Sequence, residues 1–228
     1  MDFENEFSEN THGGSMENET KEFPTLESGV AAVQQDLSVW RDQHRDERAL
    51  VLVAGPTASG KMTFVSRFVG DQKYTFLNLD RYYLGAEEQL RRYGKVNFSP
   101  PSALDTERIN HDVEKILAAK PGETVSVPVY SMKESRRTGE EDIEIQDVII
   151  LKGLYTIDQV KHDTPFKIYI DAPEDTLLAR KLKRDVEERG MTADVVRSRF
   201  EQNVRPAIRD YVSPQKNTAH YLIQNAES

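Results

Sequence analysis

The strongest chemical signal in the sequence is a short run of glycines closed by a lysine. Gly55-Pro56-Thr57-Ala58-Ser59-Gly60-Lys61 fits the spacing G-x-x-x-x-G-K, directly after an apolar run and directly before an amphipathic one. The glycines let the backbone curl so that successive N–H groups turn inward as a nest for an anion. A helix starting at Lys61 adds unpaired amides and the positive end of its dipole. Lys61 itself brings a mobile point charge to the outer phosphates of a nucleotide. An ordinary Gly-rich strand-to-helix turn is the plainer reading, and the joint occurrence of strand, loop, lysine and helix counts against it. The next position departs from the motif. A hydroxyl residue there would hold a magnesium ion, but Met62 offers a thioether, a poor ligand for a hard cation. Thr63 is rotated from it by about 100° on a helix, so it replaces that hydroxyl only if the loop shifts.

The elements that must position this loop are legible around it. Residues 49–54 (ALVLVA) are apolar on both faces and rich in branched side chains, which predicts a fully buried strand. A helix over 61–69 follows the loop, and a second strand over 74–79 ends at Asp80. Residues 105–120 form a helix with Asp105 as cap, acids in the first turn, Lys120 in the last, and Pro121-Gly122 as the stop. Segments 125–130 and 141–145 suit a hairpin around a polar loop over 133–140. Further strands are expected over 148–151, 167–171 and 221–223, and two long helices over 174–189 and 192–211. Strands alternating with helices imply a mostly parallel sheet covered on both faces, with ligands at the carboxyl ends of the strands.

Ahead of this domain, residues 1–23 are acidic and poor in large apolar side chains, so a disordered tail is expected; a docking tail for a basic partner is the functional alternative. Residues 24–48 carry Val30, Val33, Leu37 and Trp40 at helical spacing, an amphipathic helix leading into a single domain over 49–228. The net charge of −9 over 228 residues argues against a nonspecific nucleic-acid partner, while leaving room for a local basic pocket. The sequence has no cysteine, which fits a reducing compartment. It has neither a secretory start nor an apolar run near the roughly 20 residues that span a bilayer. A soluble cytoplasmic protein without a membrane partner is the expectation.

Several ordered segments together resemble the uridine kinase and phosphoribulokinase family. The glycine loop is similar to that family's phosphate loop, and Asp80-Arg81-Tyr82-Tyr83 to its D-x-[FY]-Y segment. Residues 96–105 (VNFSPPSALD) resemble its N-F-D-H-P-x-A-x-D segment, and Pro128-Val129-Tyr130 its P-x-Y strand. Residues 147–153 resemble a strand ending in Glu-Gly, and Asp171 with Arg184 and Arg189 an acid-ended strand and an Arg-bearing lid. The resemblance implies a P-loop NTPase-type three-layer αβα sandwich with a mostly parallel sheet, a small hairpin and a helical lid. It implies an ATP-dependent kinase acting on a hydroxyl of a small metabolite, with residues 55–63 holding the nucleotide.

Roles follow from the same resemblance. Asp80 would be the general base, with a helix cap as the plainer alternative. Arg184 and Arg189 would close over the phosphates, or else belong to a solvated charged face. Tyr83, Tyr130 and Arg137 would line the acceptor pocket, and the two tyrosines could equally be core. Mg2+ is implied as well, with Thr63 and Asp80 as candidate ligands. Its supports are depleted, because Met62 replaces a hydroxyl residue and Lys152 falls where the family has a glutamate. On the acceptor side Ser99 falls where uridine kinases carry the aspartate for the ribose hydroxyls, Ser135 near their base-reading histidine, and Arg199 near a glutamine. Uridine is therefore an unfavoured acceptor. Met62 and Lys152 support a second reading, a catalytically impaired nucleotide-binding module with a regulatory or scaffolding role. A GTPase-like switch is disfavoured by the lack of an [NT]-K-x-D motif. A homo-oligomer is compatible with the resemblance, since such kinases are often oligomeric.

Overall fold

A computed structural model describes residues 20–226. Six strands make one parallel sheet in the order β1-β8-β7-β2-β6-β3. They are β1 (Lys21–Phe23), β2 (Ala49–Ala54), β3 (Thr75–Asn78), β6 (Val148–Lys152), β7 (Phe166–Asp171) and β8 (Tyr221–Gln224). β4 (Thr124–Ser131) and β5 (Arg136–Glu144) form a separate antiparallel hairpin. The central strand β2 is buried along its whole length. Its alternating side chains explain why both faces must be covered. Leu50 and Leu52 pack with Ile109, Val113 and Ile116 of α4 (Thr106–Ala118) on one side. Val51 and Val53 pack on the other with α1 (Leu26–Gln43) and α2 (Lys61–Val69). The result is the three-layer αβα sandwich that the sequence pattern implies.

Local chemistry sets the ends of these elements. Thr25 caps α1 by accepting from the Ser28 amide at 3.2 Å, and the helix buries Leu26, Val30, Val33 and Leu37. Asp105 caps α4 through the Arg108 amide at 3.1 Å, as its position suggests. A buried carboxylate, Asp112, ties α4 to the turn after β3: it accepts from the Tyr82 hydroxyl at 3.0 Å and from Arg108 Nε at 2.8 Å. This network fixes the segment Leu79–Tyr82, a single 3₁₀ stretch that carries Asp80.

Three expectations need correction. The segment 1–23 lies outside the described residues up to 19, but Lys21–Phe23 is a strand, held in parallel register on Tyr221–Ile223. The polar stretch placed in the hairpin loop belongs largely to β5, which starts at Arg136 and pairs out to Arg136↔Ser131. Its side chains are mostly exposed, so no alternation marked it as a strand. The helix expected over 192–211 is divided as well. After α7 (Ala193–Arg199), wide π turns at Phe200–Val204 and Ile208–Val212 flank the short Arg205–Ala207 piece. Pro206 lies between them, without an N–H for the helical ladder. Two further helices, α3 (Ala86–Tyr93) and α5 (Thr156–Gln159), lie outside the elements expected from the sequence. The remaining long helix, α6 (Glu174–Glu187), ends two residues short of the expected Arg189. Among the described residues no helix is long and apolar enough to cross a membrane.

Candidate active site

The loop after β2 takes the conformation its glycines allow. Gly55 has φ of 140° and Gly60 of 96°, both in the left-handed region. A Cβ on Gly55 would meet the Ile170 carbonyl oxygen at 2.2 Å, so the backbones of this loop and β7 approach too closely for any side chain. Ala58, at φ of 63°, completes the curl. No side chain caps α2 at Gly60, which leaves its first-turn amides without a capping partner at the mouth of the loop.

Lys61 folds back into the loop and is 8% exposed. Its Nζ donates to the carbonyl oxygens of Gly55 at 2.7 Å and Pro56 at 2.6 Å. Burial and the nearby Lys152 ammonium hold its pKa down to about 7; Asp80 pulls it up and Arg184 adds repulsion. The loop is also braced from outside by residues that the sequence did not single out. Asn225 Nδ2 donates to the Ser59 carbonyl oxygen at 2.8 Å. Arg180 Nη1 donates to the Ala58 carbonyl oxygen at 3.3 Å, and its Nη2 to the Asn225 carbonyl oxygen at 3.2 Å. These contacts join positions 122 and 166 residues apart in sequence, and no local pattern announces them.

A cavity of about 660 Å³ opens over this loop at the carboxyl ends of the strands. Thr57, Ala58, Gly60, Lys61, Met62 and Thr63 line one side, and Asp80 and Tyr83 another. Asp80 is oriented by its neighbour: Asn78 Nδ2 donates to its carboxylate at 3.1 Å, and the Asp80 amide donates to Asn78 Oδ1 at 3.1 Å. Lys152, the last residue of β6, faces the same space. α6 supplies the third wall with Lys181 and Arg184, and Arg189 follows it. These three cations share one carboxylate, Asp185, which is 1% exposed. Burial works against ionisation of Asp185, yet hydrogen bonds from Arg184 Nε, at 2.8 Å, and from Lys181 hold its pKa below the usual carboxylate range.

Of the residues read from the sequence, the fold therefore brings together the glycine loop, Lys61, Thr63, Asp80, Tyr83, Arg184 and Arg189 around one cavity. Tyr83 is buried, edge-on to Phe98 at 5.6 Å and tilted against Tyr130 at 6.0 Å, so it is core and cavity wall at once. Burial pushes its phenol pKa well up, and the Asp80 carboxylate adds to this. Tyr130 and Arg137 are not among the lining residues. The Tyr130 hydroxyl is buried without a hydrogen-bond partner, and Arg137 Nη2 is engaged with Asp105 at 2.8 Å. Ser99, Phe98 and Tyr155 lie instead on a small, mainly apolar recess of about 180 Å³ beside Thr57.

A parallel αβα sheet, a glycine loop leading into a helix, and a cationic cavity at the strand ends define a P-loop NTPase-type nucleotide-binding protein of the kinase class. The profile of the Phosphoribulokinase / Uridine kinase family matches residues 50–228, and the chain belongs to that family. A uridine kinase of Cronobacter sakazakii is 33% identical over 189 residues, covering 76% of this chain and 85% of that protein. The chloroplastic uridine/cytidine kinase UKL1 of Arabidopsis thaliana is 34% identical over 182 residues, 76% of this chain but only 37% of that longer protein. Among solved structures, a protein of Silicibacter sp. TM1040 described as a fructose transport system kinase superposes with a TM-score of 0.66 at 19% identity. It covers 85% of this chain and 98% of its own. At such low identity the likeness concerns the fold alone. Family membership implies a nucleotide and a small molecule as substrates, with ATP and usually Mg2+ as cofactors.

Proposed function

We propose that this chain transfers the terminal phosphoryl group of ATP to a hydroxyl of a small metabolite. The observation that carries the reading is the placement of Lys61 and Asp80 on adjoining walls of one cavity, with Arg184 and Arg189 on a third. The amides of the loop and of α2 would hold the phosphates, and Lys61 would leave the loop carbonyls for a phosphate oxygen. The acceptor oxygen would attack the terminal phosphorus as the bond to the bridging oxygen breaks and ADP leaves. Asp80 would take the proton of the attacking hydroxyl. Arg184 and Arg189 would stabilise charge on the transferred group.

The protein's own groups do not fit a conventionally held Mg2+. The side chain next to Lys61 is the 45% exposed thioether of Met62, and an ammonium occupies the end of β6. Thr63 and Asp80, which line the cavity, would be the side-chain oxygen ligands left to such an ion. On the acceptor side Ser99 has no carboxylate, and its carbonyl oxygen is engaged by the Tyr155 hydroxyl, which supports an acceptor other than a nucleoside held by its ribose diol.

The test is a radiolabelled-ATP transfer screen over nucleosides, sugars and other small alcohols, repeated on Asp80→Asn. Turnover that falls by about 10²- to 10⁴-fold in the variant, with ATP affinity retained, supports the base role. ATP binding without transfer to any acceptor would favour the second reading, a nucleotide-binding regulatory module, which the cation at Lys152 favours.

A further inference from the structure

We infer that Lys152 takes the place of a divalent cation, so that this site captures a nucleoside triphosphate free of metal. The inference rests on the nucleotide-binding reading above and deepens it. Its first ground is topology. β6 lies between β2 and β3, and Lys152 stands in register with Val53 on one side and Asn78 on the other. Neighbouring strands are about 4.8 Å apart, so Lys152 projects from between the strand that feeds the phosphate loop and the strand that feeds Asp80. That is the point from which a group can reach the phosphates and the attacking oxygen together.

The second ground is the lack of another occupation for this ammonium. Among the described residues it makes no hydrogen bond and no ion pair, whereas Lys181, Arg184 and Arg189 gather on Asp185 and Lys61 is held by two carbonyls. Asp80, the nearest acid by topology, is instead bonded to Asn78. The third ground is charge. Seven basic and two acidic side chains line the cavity, in a chain whose net charge is −9. A cavity so biased against the rest of the molecule repels a divalent cation and attracts a polyanion whose charge no metal has neutralised. An ammonium also donates directly to phosphate oxygens, which a metal-coordinating carboxylate cannot do.

Isothermal calorimetry of the full chain with ATP, in EDTA and in excess Mg2+, tests this. The expected result is binding in EDTA at least as tight as in Mg2+. Lys152→Glu should weaken the EDTA affinity by about tenfold to a hundredfold and make binding depend on Mg2+. Lys152→Met should weaken it in the same direction, with thermal unfolding of both variants checked against the parent. The inference is overturned if the parent chain binds ATP only with Mg2+, or if folded Lys152→Met and Lys152→Glu bind in EDTA as the parent does. No heat in either buffer would instead remove the nucleotide site on which the inference rests.

Discussion

Lys61 offers a measurable consequence of its burial. Its pKa falls from 10.5 to about 7 in the free protein, because the ammonium is desolvated and lies near Lys152 and Arg184. At pH 8 such a group is protonated in only about a tenth of molecules, where an ordinary lysine is almost fully charged. The neutral amine still has two N–H groups for the two carbonyls it contacts. A bound polyphosphate reverses the balance, since several negative charges within reach favour the ammonium over the amine. Nucleotide binding at pH 8 should therefore take up about 0.9 proton per site. The assay is calorimetric titration of ATP in two buffers of very different ionisation heat, where the slope of observed heat against buffer heat gives the proton number. Uptake should shrink below pH 7, where Lys61 is already charged. A slope of zero at pH 8, or an undiminished slope in Lys61→Met, would refute the reasoning. The unliganded protein has a matching signature. The unfolded chain binds the proton more tightly between pH 7 and 10.5, so stability should rise with pH across that window, by at most a few kcal/mol at about 1.4 per unit. Lys61→Met should flatten that rise.

Two further substitutions probe the frame rather than the chemistry. Gly29→Ala places a Cβ 2.4 Å from Ile223 Cδ1 where α1 crosses β8, and should cost about 1–3 kcal/mol, read as a fall of several degrees in Tm. Asp185→Asn keeps the volume but leaves Lys181, Arg184 and Arg189 without their common counter-charge, and should cost about 1–3 kcal/mol at pH 7 by chemical denaturation. Because the native pKa of Asp185 lies below its unfolded value of 3.8, its contribution is present above that pH and is lost as pH falls further; the gap between parent and variant should close in acid.

The phosphate loop was legible because everything that shapes it is local: a doubly buried strand, glycines where the backbone turns left-handed, and a lysine one helical step on. The sheet was legible for a similar reason, since β2, β6 and β7 are apolar runs that have no other use. β1 was not, because a three-residue strand with two exposed positions exists only through its pairing with Tyr221–Ile223. β5 was misjudged because charged residues on a two-stranded ribbon leave no period to read. The wide turns around Pro206 needed the backbone. Within the site, Asp80, Arg184 and Arg189 could be named from the order of the motifs. The grouping of Lys181, Arg184 and Arg189 on Asp185 is local, at adjacent and i,i+4 spacing, whereas the bracing of the loop by Arg180 and Asn225 depends on side chains that meet only once the sheet has formed.

The strand order has a consequence for biosynthesis. Asn225 follows Ser59 by 166 residues and lies just beyond β8, which itself separates β1 from β7. A ribosome moving from the amino end releases the glycine loop early and its clamp late. Until β8 has emerged, β1 has no neighbour and the loop lacks one of its two external struts. A nascent chain arrested before this point would carry every motif of the phosphate site in its sequence, without the tether that keeps Ser59 in place.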